Sequence, residues 1–500
     1  MRTYFFLLLF STLMSFALTR WLARRAAEGR WTRHEGGEGA IPRLGGVSVF
    51  VTTVVMLLPL AVWNNQITDR IAEVLPQALG LLGAATAVFL LGLYDDLRGA
   101  RPWQKLVVQC SAAVGLYLAG FRIELLTNPF THQPLELGWL SLPVTLCWLV
   151  AISNAFNLID GLDGLAAGVG LFATLSLFLL ALLQSKSFVA AVAVALAGAL
   201  LGFLPNNFNP ARIYLGDSGS LTIGLVLAAL SVGGSQKGPI FITLTIPLLI
   251  FGLPLLDVSV TTARRFLSGH PIFHRDEEHL HHRLLKIGLT PRGALLFLYG
   301  LAAVFAAASV LVVNFRGTVS PLLALLCGLL AWIVVRQMHY PEFAELDSHV
   351  RREWSSQRNV LRNQILMRKS AQSVARAGTV EEMWEEASHV FTSLDMDAAA
   401  LELPFALLGS ARQLRWVREN NDDWRDTGPG AETMWSFSLP VRFRGRVIGT
   451  LRLSRALDRG DLPFRLESLA EYFNGPFAER LARILDAREA EPVRAAAGVR

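Results

Sequence analysis

The sequence predicts a polytopic all-α membrane protein with about eleven transmembrane helices, followed by a small cytoplasmic α/β domain. Three observations predict it. The 500 residues are 52% hydrophobic and 17% charged, against roughly 25% charged in soluble chains. The charge is unevenly placed, since residues 140–256 hold very few ionisable groups and residues 342–500 are rich in them. Apolar runs also recur at the length that spans a bilayer, about 20 residues each.

Those runs fall near 3–22, 45–63, 75–93, 104–122, 139–156, 164–184, 188–205, 217–234, 240–258, 294–314 and 319–336. The first has no long basic region before it and no clear small-residue cleavage site, so it reads as a spanning helix rather than a signal peptide. Orientation follows from Lys and Arg, which mark the cytoplasmic side. Arg20, Arg24, Arg25, Arg30, Arg33 and Arg43 follow the first run. Arg98, Arg101 and Lys105 follow the third, and Arg264, Arg265, Arg275, Arg283, Lys286 and Arg292 follow the ninth. The alternate loops are poorer, with Arg70, Lys186, Lys237 and Arg316. The N-terminus is then outside and the C-terminus cytoplasmic. The net charge of +6 reads as this bias and not as a nucleic-acid surface. Cys110, Cys147 and Cys327 lie in apolar runs, which suggests neither a disulfide framework nor a zinc site.

The same topology gathers four polar stretches on the cytoplasmic face: 92–105, 154–164, 206–220 and 269–284. That clustering argues for one active site. Asp95 and Asp96 end the third run. Adjacent carboxylates on a helix point about 100° apart, so one can bind a ligand while the other orients it. Negative charge at a helix C-terminus opposes the dipole, which favours a functional role over a merely solvated end. Asn154, Asn157 and Asp160 recur every three residues on one helical stripe, and Asp163 extends it. Amides and carboxylates in such a stripe suit phosphate oxygens, ribose or a hydrated metal. The plainer alternative is that Asp160 or Asp163 caps the next helix. Asp217 opens the eighth run within YLGDSGS, where it is either an N-cap or a metal ligand facing a diphosphate. Asp257 ends the ninth run and either supports the metal site or pairs with a nearby arginine.

Five of the ten histidines lie between 270 and 282: His270, His274, His279, His281 and His282. Their spacing is poor for zinc on one helix. With Arg275, Arg283 and Lys286 they read as a donor-rich loop for a nucleotide or phosphate. The combination of carboxylates and donors at a membrane face suggests phosphoryl transfer with a divalent metal, Mg²⁺ or alternatively Mn²⁺.

IPRLGG (41–46), DD (95–96), NAFNLIDGLDGLA (154–166), LGDSGS (215–220) and HLHHRL (279–284) together resemble the polyprenyl-phosphate N-acetylhexosamine-1-phosphate transferases, over about residues 40–335. The family includes initiating enzymes of O-antigen, common-antigen, teichoic-acid and peptidoglycan synthesis. The resemblance implies transfer of a HexNAc-1-phosphate, with GlcNAc favoured, from a UDP-sugar to undecaprenyl phosphate in a bacterial inner membrane, with release of UMP. It implies Asp217 as the magnesium ligand and Asp95, with Asp96 beside it, at the lipid phosphate. It places Asn157 and Asp160 in the nucleotide and metal pocket, with Asp160 counted among the catalytic residues. Lys105, Asn154, Asn157, Asp163, His279, His281, His282 and Arg283 are then substrate-binding candidates. Gly99 stands where well-studied branches carry Asp or Lys, with Arg98 and Arg101 as candidate substitutes. A homodimer and downstream glycan-assembly enzymes are the expected protein partners. A secondary transporter or a membrane sensor without transferase activity is the rival reading. Transporters, however, bind near the bilayer midplane.

The domain boundaries read as 1–338 for the transmembrane domain, 339–378 for a basic linker, 379–488 for the cytoplasmic domain and 489–500 for a disordered tail. Residues 379–393 read as a helix. ETMWSFSLPVRF and GRVIGTLRLSRA alternate like strands around a turn at Arg444-Gly445. A closing amphipathic helix follows, with a break at Gly475-Pro476. This order faintly resembles small GAF-like sensory domains.

Overall fold

The structure is a computed structural model that describes all residues except 29–40, 62–73, 128–133, 236–241, 271–277, 315–318, 404–411, 419–433, 458–461, 463 and 498–500. Of the residues singled out above, Arg30, Arg33, Arg70, Lys237, His274, Arg275 and Arg316 lie outside the described residues. The chain divides into two compact units, Met1–Phe343 and Ala344–Arg500.

The first unit is helical. Its helices are α1 (Arg2–Glu28), α2 (Gly45–Leu57), α3 (Leu75–Arg98), α4 (Pro102–Leu118), α5 (Ser141–Leu158), α6 (Leu165–Leu183), α7 (Ser187–Asn207) and α8 (Gly216–Ser235). There follow α9 (Ile242–Ile250), α10 (Gly252–Leu267), α11 (Leu280–Lys286), α12 (Pro291–Asn314) and α13 (Val319–Gln337). A short antiparallel hairpin, β1 (Leu125–Thr127) and β2 (Pro134–Glu136), lies between α4 and α5.

Seven of these helices are long and apolar enough to cross a membrane, or eight if Pro321–Gln337 is counted together with the helix at Pro341–Val374. The protein is therefore an integral membrane protein. All eleven apolar runs contain helix, but not all as single full-length spans. At about 1.5 Å per residue, the 13 residues of α2 reach roughly 20 Å, short of a bilayer core of about 30 Å. The fourth run becomes the 17 residues of α4. The ninth is split at Phe251 into α9 and α10, with Pro247 inside α9 and Pro254 near the start of α10.

Helices α7 and α8 form the centre and are buried on nearly every side. Helix α7 is rich in alanine, and small residues let backbones approach closely. A Cβ on Gly202 would lie 2.2 Å from the carbonyl oxygen of Thr12, and one on Gly198 would lie 2.7 Å from that of Leu8, so α1 rests directly on α7. Hydroxyls join α1, α2 and α7. Thr19 Oγ1 and Ser48 Oγ are 2.7 Å apart, and Ser15 Oγ donates to the carbonyl of Ala199 at 2.6 Å.

The second unit contains most of α14 (Pro341–Val374), then α15 (Val380–Ser393), β3 (Ala398–Leu403), β4 (Arg412–Val417), β5 (Met434–Phe443), β6 (Arg446–Ala456), α16 (Leu466–Tyr472) and α17 (Ala478–Ala497). The antiparallel sheet has the order β4-β3-β6-β5. Leu401 pairs with Leu414 on one side and Leu451 on the other, and Leu439 pairs with Leu451. Leu401 and Leu451 join Phe391, Phe473 and Phe477 in the core, and the half-buried Leu414 and Leu439 pack against it. Arg444 and Gly445 both have positive φ (47° and 83°), as a tight two-residue hairpin requires. Thr379 caps α15 by accepting the Glu382 N–H at 3.2 Å. The helical path breaks at Gly475, φ −101° and ψ −106°, beside Pro476. Helix α17 continues to Ala497, across the stretch from 489 that the sequence reads as a disordered tail. Strands β3 and β4 are not among the elements that the sequence predicts.

Candidate active site

The site is built where the end of α3 meets the start of α8. Gly92 lies one turn before the paired aspartates. A Cβ there would sit 2.5 Å from both the backbone N and Cα of Ser218, so only glycine lets the two helices meet at this distance. The approach delivers Asp96 to the α8 N-terminus. Its Oδ1 accepts the Asp217 N–H at 2.9 Å and its Oδ2 accepts the Ser218 N–H at 3.0 Å. These amides would otherwise be orphan donors, and the carboxylate also answers the positive end of the helix dipole. Gly216, with φ +72°, turns the chain into α8, and a Cβ on it would strike the Asp96 carboxylate. Asp96 is thus a buried brace, and the groups free to face a ligand are its neighbours.

Lys105, one turn into α4, reaches both of those neighbours. Its Nζ lies 2.9 Å from Asp95 Oδ2 and 2.5 Å from Asp217 Oδ2. The other Asp95 oxygen accepts the Ala100 N–H at 2.6 Å. Asn157 donates from Nδ2 to Asp217 Oδ1 at 2.9 Å and to Ser220 Oγ at 3.0 Å. Asp95, Asp96 and Asp217 each place a carboxylate oxygen within 4.8 Å of the others.

A polar cavity of about 310 Å³ opens beside this cluster, lined by Arg43, Asp96, Asp160, Gly161, Leu162, Asp163, Asn207, Tyr214, Gly216 and Asp217. Burial first, then the charges of Asp217 and Asp96, hold the Asp160 carboxyl well above the usual carboxylate range, and Arg43 partly opposes them. Asp163 does not cap the next helix. Its Oδ2 accepts from Asn209 Nδ2 and the Ala211 N–H, both at 3.0 Å, and so holds the loop that leads to Asp217.

The histidine segment arrives from the other side. Asp257 accepts the Leu280 N–H at 2.7 Å and holds His279 Nδ1 at 2.8 Å, which fixes the start of α11. His281 packs against Gly161, where a Cβ would lie 2.5 Å from its Nε2. Burial first, and then the charge of His282, push the His281 pKa down to about 4, so the ring is neutral at pH 7. The His282 ring lies tilted by 39° against that of His281, with centroids 4.1 Å apart.

The fold therefore brings Asp95, Asp96, Lys105, Asn157 and Asp217 into one bonded group, with Asp160 and Asp163 on the adjoining cavity and His281 against it. Asn154 lies apart, donating to Gln109 Oε1 at 3.0 Å and to the Val150 carbonyl at 2.8 Å. Arg283 turns to the end of α13. Its Nε donates to the Met338 carbonyl at 2.8 Å, its Nη2 reaches the His339 carbonyl, and its guanidinium lies over Tyr340. Asn207 and Tyr214 carry no mark in the sequence, and Arg43 is marked there only as a loop charge. Only the glycine pair of IPRLGG hinted at a close backbone approach near Arg43.

Comparison with known proteins agrees with this geometry. A family model described as Glycosyl transferase family 4 matches residues 78–235. The chain is 32% identical over 270 residues to a probable undecaprenyl-phosphate N-acetylglucosaminyl 1-phosphate transferase of Bacillus subtilis, covering 54% of this chain and 73% of that protein. The chain belongs to the polyprenyl-phosphate N-acetylhexosamine-1-phosphate transferase-like family. It is also 36% identical over 315 residues to a decaprenyl-phosphate N-acetylglucosaminephosphotransferase of Mycobacterium tuberculosis, covering 56% of this chain and 75% of that one. Against a phospho-N-acetylmuramoyl-pentapeptide-transferase of Bacillus subtilis it is 32% identical over 303 residues, covering 54% and 89%. Membership makes it a transferase of sugar 1-phosphate to a polyprenyl phosphate.

The oxygen donors of the family site suit a hard divalent cation, which carboxylates bind together with substrate phosphates. The Lys105 ammonium between Asp95 and Asp217 marks a place where positive charge fits.

Proposed function

We propose that the protein transfers GlcNAc-1-phosphate from UDP-GlcNAc to undecaprenyl phosphate and releases UMP, starting a lipid-linked cell-surface glycan. The observation that carries this reading is the convergence of Asp95, Asp96 and Asp217 carboxylate oxygens within 4.8 Å, from positions 121 residues apart. The sugar is chosen on the HLHHRL segment and on the printed names of the relatives in Bacillus subtilis and Mycobacterium tuberculosis. The site belongs on the cytoplasmic face of the inner membrane, with the N-terminus outside and the C-terminus inside. The second unit reads as a GAF-like domain appended to the enzyme.

An oxygen of the lipid phosphate attacks the β-phosphorus directly and forms the new P–O bond. The bond from that phosphorus to the oxygen bridging the α-phosphate breaks, and the electron pair leaves with UMP. Asp217 and Asp95 would hold Mg²⁺, which when bound neutralises diphosphate charge and stabilises the leaving phosphate. Asn157 keeps Asp217 in one orientation. Asp96 holds the α8 N-terminus in register, and His281 with its neighbours borders the nucleotide side. Most of the rate comes from positioning and electrostatics, because a phosphate monoester is already an ionised nucleophile.

The test is UMP release by purified protein given undecaprenyl phosphate, Mg²⁺ and a panel of UDP-sugars. UDP-GlcNAc should be the preferred donor, and release should stop with a chelator. A different preferred sugar would overturn the substrate assignment. Isolation of a covalent sugar-phosphate adduct on an aspartate would overturn direct attack.

A further inference from the structure

The cavity beside the carboxylate cluster has a charge problem. Four aspartates line it, Asp96, Asp160, Asp163 and Asp217, and a substrate carrying phosphate must enter among them. Among the described lining residues only Arg43 is cationic. The nearby lysine, Lys105, is already held between Asp95 and Asp217. Arg43 is exposed and has no hydrogen bond or ion pair among the described residues.

Its backbone, in contrast, is tightly fixed. The Pro42 carbonyl accepts the Tyr214 N–H at 2.9 Å. The Gly45 N–H donates to the Tyr214 carbonyl at 2.9 Å, and the Gly46 N–H donates to the Leu215 carbonyl at 2.8 Å. Leu44 is buried behind it. A Cβ on Gly45 would lie 2.6 Å from the Tyr214 carbonyl oxygen, and one on Gly46 would lie 2.2 Å from the Gly219 nitrogen. The Arg43 backbone is therefore tied to the segment that ends at Asp217, while its side chain makes no hydrogen bond among the described residues and its charge reaches Asp160.

We propose that Arg43 is a substrate-binding residue whose guanidinium holds a phosphate group at the cavity opposite the metal-binding carboxylates. This deepens the transferase reading above and rests on it for the identity of the substrates. A guanidinium presents two parallel N–H donors that match two phosphate oxygens, and it keeps its charge at all working pH values. A rigid backbone with a free head group suits this task. The register is set before binding, and the donors are not spent on a partner among the described residues. The phosphate belongs either to the diphosphate of the donor or to the monoester of the lipid acceptor, and the two are separable by kinetics.

The experiment measures kcat and KM for the full chain with UDP-GlcNAc and undecaprenyl phosphate varied in turn, for the native protein, Arg43→Gln and Arg43→Lys. Arg43→Gln should raise one KM by about tenfold or more, the size of a lost charge-assisted contact, with a smaller change in kcat. Arg43→Lys should recover part of it. A rise in the donor KM places the guanidinium on the diphosphate, and a rise in the acceptor KM places it on the lipid phosphate. Unchanged KM values, or a fall in kcat alone, would overturn the proposal. Calorimetric binding of magnesium pyrophosphate needs no transfer to occur. The native chain should bind it, and Arg43→Gln should bind about tenfold more weakly. Equal binding by both, together with an acceptor KM that Arg43→Gln leaves unchanged, would overturn the Arg43 assignment. Failure of the native enzyme to turn over these two substrates would instead condemn the substrate reading.

Discussion

Asp217→Asn is expected to lower UMP release by on the order of 10²- to 10³-fold or more, in a protein that still inserts and folds. The substitution keeps the size and one acceptor oxygen but removes the charge. Both oxygens of Asp217 are engaged, one with Lys105 and one with Asn157, and both partners are donors that position a carboxylate. Neither bond fixes the α8 N-terminus, because Asp96 does that through backbone amides. The variant should therefore keep the native melting temperature. The check is turnover per mole of solubilised protein beside a thermal melt. Turnover near the native level would remove Asp217 from the metal site, and a collapsed melt would mean that it acts as a structural support.

The second large effect is expected at a residue that carries no charge of its own, one turn before the paired aspartates. Gly92→Val should lower the melting temperature and abolish transfer together. Its side chain would meet Ser218 backbone at 2.5 Å, and backbone cannot swing aside as a flexible side chain can. Overpacking of a close helix contact costs about 1–3 kcal/mol, occasionally more. Here it would also separate Asp96 from the two amides that it caps. Gly83 on the same helix is the control, because a Cβ there meets nothing within 4 Å. Gly83→Ala should be neutral or slightly stabilising, since alanine is the better helix former by about 1 kcal/mol. A Gly92→Val protein with native activity would mean that the α3–α8 approach does not set the site.

The carboxylates were legible in the sequence because charge stands out against apolar runs. Asp95, Asp96, Asp160 and Asp217 occur where ionisable groups are otherwise scarce, and the alternating loop charges placed them on one face. What each carboxylate bonds to was not legible. Asp96 and Asp95 are neighbours in sequence, yet one caps a helix 121 residues away and the other meets Lys105, because adjacent helical side chains point in different directions. Arg283 looked like a nucleotide ligand from its histidine neighbours and instead closes the end of α13. Asn154 shares a stripe with Asn157, but a glutamine on α4 lies within reach and takes its amide.

The span count shows a similar limit. Apolar length alone cannot tell one 19-residue helix from two short ones meeting at a break, as at Phe251. In the second unit, the hairpin at Arg444-Gly445 was visible from alternation and its turn. Strand β3 was not, because its AAALEL sequence is built largely of good helix formers, and pairing with β4 and β6 overrides that preference. Arg43 was present in a quoted motif, but a lone arginine in a basic loop carries no sign of the cavity that it lines.

The most direct test of the proposed metal site is electron paramagnetic resonance of Mn²⁺ titrated into the purified full-length protein. One tight site per chain is expected, with Mg²⁺ displacing the bound ion, loss of the site in Asp217→Asn and weakening in Asp95→Asn. Native Mn²⁺ affinity in Asp217→Asn would contradict the account, because the carboxylates that α3 and α8 bring together would then not be what holds the ion.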